Sequence, residues 1–353
     1  MFGRHTGRGG RLFGAAALTM AAGLVLAGCA NGDSGGDNGA APDPGAGGDS
    51  NFAITFLPKS LGNPYFDTSN AGGAEAIAEF GGTFQEVGPT EASPTSQVSF
   101  IQTAAQQGVD ALVVSANDPA AICDALDEAR SVDVKVVTFD SDTNPECRDL
   151  FINQAEAEGI ARVQVEMIAE QIGGEGQIAI LSAAANATNQ NAWIELMQEE
   201  LAANWPDIEL VDVVYGDDDD QTSFDRTAAL LQTYPELRGI VSPTTVGIAA
   251  AARYIQTSQF QGQVAVTGLG TPNQMREYVE DGTVTAFALW NPADLGYLAA
   301  YAAKALVEGT ITGAEGDTFD AGRLGSYTVG ANGTVLLGDP FVFNADNIAD
   351  FNF

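Results

Sequence analysis

The sequence has a single histidine, His5, within its first few residues. The rest of the chain therefore has no Ser-His-Asp or Cys-His relay and none of the common His-based metal sites. Positive charge is scarce too: 14 Lys and Arg face 47 Asp and Glu, for a formal charge of −33. So acidic a chain repels nucleic acid and anionic headgroups, and no nucleic acid is expected as a partner. Otherwise the charge reads as solubility and says little about ligand. Beyond residue 28 no stretch approaches the roughly twenty apolar residues that cross a bilayer. These absences leave binding without catalysis, or carboxylate-pair chemistry such as glycoside hydrolysis.

Cysteine is limited to Cys29, Cys123 and Cys147. Arg4, Arg8 and Arg11 precede an apolar run over 12–26, and the segment ends in Leu26, Ala27, Gly28 and Cys29. A basic start, a short apolar run and small residues make a secretory signal over 1–28. A cysteine just after the cleavage point resembles the bacterial lipoprotein pattern, in which Cys29 is acylated and becomes the mature N-terminus. The competing reading is a plain signal with an incidental cysteine. Loss of the three arginines with the signal takes the charge from −33 to −36 and leaves 325 residues. That length exceeds what one core usually spans, so two lobes are expected. Residues 30–50 are Gly, Asp, Pro, Ser, Ala and Asn with no large apolar residue, and 29–51 is read as a tether. Membrane attachment is through the lipid only, on the outer face of the cell membrane. Cys123 and Cys147 remain as an even pair in an oxidising compartment, and a disulfide between them is expected.

From residue 52 apolar strand-like runs alternate with helix-like spacing. Runs such as 109–115 (VDALVVS) and 134–139 are apolar without alternation, as in strands buried on both faces of a parallel sheet. Helices are expected over 65–80, 94–107 and 119–130, and the same rhythm resumes after residue 149. Repeated βα units predict right-handed crossovers and an α/β fold with two doubly wound parallel-sheet lobes.

Ligands of open parallel sheets bind outside the carboxyl ends of the strands. The loops there are 58–66, 115–118, 140–148, 153–154, 182–193, 242–246, 269–272 and 290–292. They hold Lys59, Asn63, Asn117, Asp140, Asn153, Gln154, Asn189, Gln190, Thr244 and Thr245, with Tyr65, Phe66, Trp193 and Trp290 beside them. Amides and carboxylates bond hydroxyl groups. Aromatic faces suit the C–H side of a sugar ring. The set fits a small neutral polyol. Each residue also has a plainer role: Asn63 before Pro64 starts a turn, Asp140 caps the next segment, Trp290 is core. No loop carries a phosphate-binding or dinucleotide fingerprint, and no cofactor or metal is expected. The acidic run 217–220 does not fit an EF-hand, since Thr222 and Ala228 stand at its glycine and closing-carboxylate positions. It is read as a solvated strand-to-helix loop.

Several motifs occur in order: LGNPYF at 61–66, VSANDP at 114–119, FDSD at 139–142, ILSAAANATNQNAW at 180–193, YGDD at 215–218, SPTTVGIAAAA at 242–252, VTGLG at 266–270, FALWNPADLGY at 287–297 and DAGRLG at 320–325. Together they resemble the sugar-type periplasmic binding proteins (type I, the ribose-binding superfamily). Within these, the chain most resembles rhamnose-binding proteins of ABC importers and next the autoinducer-2 binders. The resemblance implies three crossovers, near Asn153, 290–292 and 317–319. One lobe would be 52–152 plus 293–316 and the other 153–292 plus 317–353. It also implies ligand contacts from Lys59, Asn63, Tyr65, Phe66, Asp140, Pro243 and Thr245. Asn189 and Gln190 stand where autoinducer-2 binders carry Asp-Gln, and the lost charge favours a neutral deoxysugar. Trp290 stands where ribose binders carry a hydrogen-bonding side chain. A monomer that hands L-rhamnose or a close deoxyhexose to an ABC permease is the function so implied, with no bond made or broken.

Overall fold

The computed structural model describes residues 52–353. The expected signal, Cys29 and the tether lie outside the described residues. The chain runs β1 (Ala53–Leu57), α1 (Pro64–Glu79), β2 (Thr83–Glu86), α2 (Val98–Gln107), β3 (Ala111–Val114), α3 (Cys123–Arg130), β4 (Lys135–Phe139) and β5 (Leu150–Asn153). A second series follows: α4 (Ala157–Ile172), β6 (Gly176–Ser182), α5 (Thr188–Asn204), β7 (Ile208–Tyr215), α6 (Asp220–Thr233), β8 (Leu237–Ser242), α7 (Thr245–Gln256), β9 (Ala265–Gly268), α8 (Pro272–Glu280) and β10 (Ala286–Leu289). The last part holds α9 (Pro292–Val307), β11 (Thr318–Asp320), β12 (Ser326–Thr328), β13 (Thr334–Leu336) and β14 (Phe341–Asn344).

The strands form two open parallel sheets, in the orders β13-β5-β4-β3-β1-β2 and β7-β6-β8-β9. Continuous apolar strands produce this arrangement. All four residues of β3 are buried, as a strand covered by helices on both faces requires. An antiparallel ribbon, β10 with β14, adjoins β9 through the Leu269–Ala288 bridge. The fold is α/β with two doubly wound parallel sheets.

Helix α9 follows β10 but packs on α1 beside the first sheet. Glycine permits that contact. A Cβ on Gly72 would lie 1.9 Å from the Ala293 carbonyl oxygen, and one on Gly296 would lie 1.7 Å from that of Ser69. Any side chain at either position would force the helices apart.

Three expectations are corrected. Helix α2 starts at Val98, not at 94, because the side chain of buried Gln97 is engaged elsewhere. It donates to the Pro58 and Ser115 carbonyls and accepts from the Asn117 N–H. Helix α3 starts at Cys123, not at 119, because the Asp118 carboxylate takes the N–H groups of Ala120 and Ala121 in a preceding turn. The tail 317–353 does not stay wholly with the second series. Strand β13 pairs in parallel with β5 of the first sheet, while β14 pairs with β10 and the carbonyls of Ile348, Phe351 and Phe353 accept from α8 of the second series. A three-residue strand carries too little pattern to choose its sheet; its neighbours across space choose for it.

Candidate functional site

A tight cavity of about 40 Å³ lies at the carboxyl ends of the strands, where both series meet. Lys59, Asn63, Tyr65, Phe66 and Asp140 line it from the first series. Asn189, Gln190, Trp193, Asp218, Pro243, Thr244, Thr245, Leu269, Leu289 and Trp290 line it from the second.

Asp140 ends β4 in the left-handed region, with φ 61°. Asparagine and aspartate tolerate this better than most residues, but it is uncommon outside functional turns. Its carboxylate accepts from the Ser115 hydroxyl at 2.8 Å and lies 3.7 Å from the Lys59 ammonium. The loop that carries it is braced twice. Cys123 and Cys147 are joined by a disulfide with a Cα–Cα distance of 5.3 Å. Buried Arg148 makes a bidentate pair with Asp142, both bonds at 2.7 Å, and donates to the Asn332 carbonyl at 2.9 Å.

Asn63 caps α1, with its Oδ1 accepting from the Tyr65 N–H at 3.0 Å. The cap engages Oδ1 and leaves Nδ2 as the group for a ligand. Pro64 at the first helical position sets the direction of Tyr65 and Phe66. The Tyr65 hydroxyl accepts from the Trp290 indole N–H at 2.9 Å. Burial, and after it the Asp140 charge, pushes the Tyr65 pKa well above its ordinary value. Tyr65 therefore stays a donor. Trp290 meets Tyr65 and Trp193 edge-on, each at 6.1 Å between ring centroids.

Across the cavity, Asn189 Oδ1 accepts from the Lys59 ammonium at 3.1 Å, and its amide donates to the Asp140 carbonyl at 3.4 Å. Gln190 is buried, and its Oε1 has no partner within the protein. Gly268 ends β9 with φ 141°, and a Cβ there would sit 1.9 Å from the Ser242 carbonyl oxygen. Leu269 follows Gly268 and lines the cavity, as does Leu289.

Three residues expected to contact ligand do not line the cavity. Asn117 is a brace for Lys59: its amide donates to the Lys59 carbonyl at 3.0 Å and to the Ser96 hydroxyl at 3.2 Å. Asn153 lies in β5, where its carbonyl accepts from the Leu337 N–H. Gln154 is buried behind it, with Oε1 unpartnered. Tail strand β13 covers this edge and turns it from rim to sheet.

Asp218, expected in a solvated loop, instead lines the cavity. The strand-end rule points to it, because it follows β7 at the same end of the sheet as the other loops. Its Oδ1 accepts from the Thr244 hydroxyl. Enclosure by protein pushes its carboxyl pKa up from the ordinary value, against the Thr244 hydroxyl and the Lys59 ammonium, with Asp140 adding to the rise. Leu269 and Leu289 also went unnoticed, since nothing in sequence separates an apolar pocket wall from core. Among the described residues, no three His, Cys, Asp or Glu side chains gather as a metal site would.

Residues 54–311 match the periplasmic binding protein domain family. The chain belongs to that family. A sugar ABC transporter structure from Actinomyces odontolyticus is 55% identical over 86% of this chain and 98% of its own, with a TM-score of 0.71. An ABC transporter solute-binding protein from Clostridium phytofermentas, with bound L-rhamnose, is 40% identical over 85% of this chain and 98% of its own, with a TM-score of 0.82. LsrB from Clostridium saccharobutylicum, in complex with AI-2, is 26% identical over 85% and 99%, with a TM-score of 0.81. The family places the protein outside the cytoplasm as a binding component.

Proposed function

We propose that this protein captures a neutral monosaccharide, L-rhamnose or a close deoxyhexose, and delivers it to an ABC permease. The observation that carries the reading is the mixed lining of the cavity. Lys59, Asp140, Asn189 and Asp218 offer partners to hydroxyl groups, while Leu269, Leu289 and the Trp290 ring offer apolar surface. A 6-deoxy sugar has both characters, and a hydroxyl buried against the apolar side chains would lose its hydrogen bonds. Similarity to the rhamnose-bound protein supports the same choice. Both strand series touch the cavity, so a ligand there favours closure of one half on the other.

Asp218 brings a second carboxylate to the cavity, whereas the sequence pointed to Asp140 alone. The reading as a binder therefore rests on the family and on Asp140 being held by Ser115 and Lys59, not on the number of acids. An autoinducer-2 receptor is the second reading, favoured by Lys59 and by the likeness to the AI-2 complex. A thermal-shift panel of hexoses, deoxyhexoses, pentoses and autoinducer-2 separates them. At a hundredfold excess over Kd, ligand adds about 2.7 kcal/mol, which raises Tm by roughly 5 °C. L-Rhamnose is expected to give the largest rise; a larger one from autoinducer-2 rejects the choice of ligand.

Anchoring through acylated Cys29 belongs to the same proposal. Cys29→Ser should release the protein from membranes into the medium. Retention of that variant at the membrane would count against the lipid.

A further inference from the structure

The turn after β7 is costly to build. Asp217 and Asp218 both sit in the left-handed region, with φ 55° and 51°. Three of the five described non-glycine residues with positive φ are Asp140, Asp217 and Asp218, all in the two turns that deliver carboxylates to the cavity. Strain of this kind persists where the surroundings over-determine it, and functional sites are where it gathers. The surroundings here are explicit. Gly216 and Asp217 donate their N–H groups to the carbonyls of Ser182 and Ala183, at 2.8 and 3.1 Å. Asp219 caps α6 through the Thr222 N–H at 2.7 Å. Pinned at both sides, the turn aims Asp218 inward and Asp219 outward.

Inside, Asp218 meets one hydroxyl, that of Thr244, and makes no ion pair. The one ammonium in the cavity, Lys59, pairs with Asp140. The cavity therefore holds two carboxylates and one cation, and the second carboxylate has lone pairs without donors. Asp218 is half-buried, and closing a ligand over an acceptor of that kind is expensive unless the ligand donates to it.

We propose that Asp218 is a specificity-determining residue: its carboxylate accepts hydrogen bonds from ligand hydroxyl groups and, with Asp140, excludes sugar acids from the cavity. The inference rests on the reading of the protein as a receptor for a neutral sugar. Hydroxyl donors from the ligand satisfy the carboxylate that the protein leaves short. An anionic sugar would bring a third negative charge against a single ammonium.

The test is calorimetry on the full mature chain and on Asp218→Asn, with L-rhamnose and D-galacturonate as probes. The amide still accepts from Thr244, so the turn is kept. Rhamnose affinity should fall 10- to 100-fold, the preference for rhamnose over galacturonate should shrink at least 10-fold, and Tm without sugar should hold or rise. Rhamnose affinity within twofold of wild type overturns the role of Asp218 and leaves the receptor reading standing. A fall in Tm with both affinities unchanged marks Asp218 as structural and also overturns it. A wild-type chain that binds no neutral sugar removes the receptor reading and this inference together. Asp218→Ser, which also deletes the charge, must give the same two affinity changes. If neither variant folds, the carboxylate is a structural element and the proposal fails.

Discussion

The two walls of the cavity are built differently. The wall from the first series holds its carboxylate through its own residues. Asp140 is held by Ser115 and Lys59, and its loop by the Cys123–Cys147 disulfide and by Arg148. On the wall from the second series, polar groups are left available. Gln190 Oε1 has no partner, and Asp218 has one hydroxyl. The contrast suggests a fixed anchor facing a wall that ligand completes. Preorganised groups bind with little ordering cost, while groups satisfied only by ligand make closure depend on it.

Breaking the anchor should have the largest effect. Asp140→Ala removes the acceptor for Ser115 and for ligand at once and takes away the ion-pair partner of Lys59. A cost of about 2–4 kcal/mol in binding is expected. Calorimetry that finds the sugar affinity unchanged would sink the idea of an anchor.

Loosening the brace comes next. Cys123→Ser with Cys147→Ser frees a closed loop of sequence separation 24. The loss should be about 2–3 kcal/mol of stability, seen as a lower denaturation midpoint, with a smaller fall in affinity as the Asp140 loop loosens. An affinity that falls while stability is untouched would show that the bridge does not act through the fold.

The smallest effect separates two neighbours. Asp219→Ala removes the α6 cap and should cost about 1 kcal/mol of stability, with sugar affinity unchanged. The Thr222 hydroxyl, with its N–H, holds the Asp219 carboxyl below its ordinary range. Its stabilisation is thus present above the unfolded carboxylate pKa and is lost as pH falls through the lower folded value. In Asp219→Ala this part of the acid-side decline should vanish. A change in affinity would mean that the outward and inward aspartates are not independent.

Much of the architecture can be read along the chain, because buried strands such as Val136 and Val137 in β4 announce themselves as unbroken apolar runs. The strand-end rule reached Asp140, Asn189 and Trp290 from three distant segments. It stopped short at Asp218, since an acidic run looks like any solvated loop until the backbone turns one member inward. It overreached at Asn117, whose amide chemistry suits a ligand equally well but is taken by the Lys59 carbonyl.

The order of elements, the βα rhythm, the acidic surface and the chemical character of the ligand-facing side chains were determined by sequence, because each depends on residue type and local spacing. Tertiary structure alone decided which amides remain free, which of four adjacent aspartates enters the cavity, and where the tail strand pairs. Those outcomes depend on partners brought together from distant parts of the chain, and a hydrogen bond already made inside the protein withdraws a group that composition would assign to the ligand.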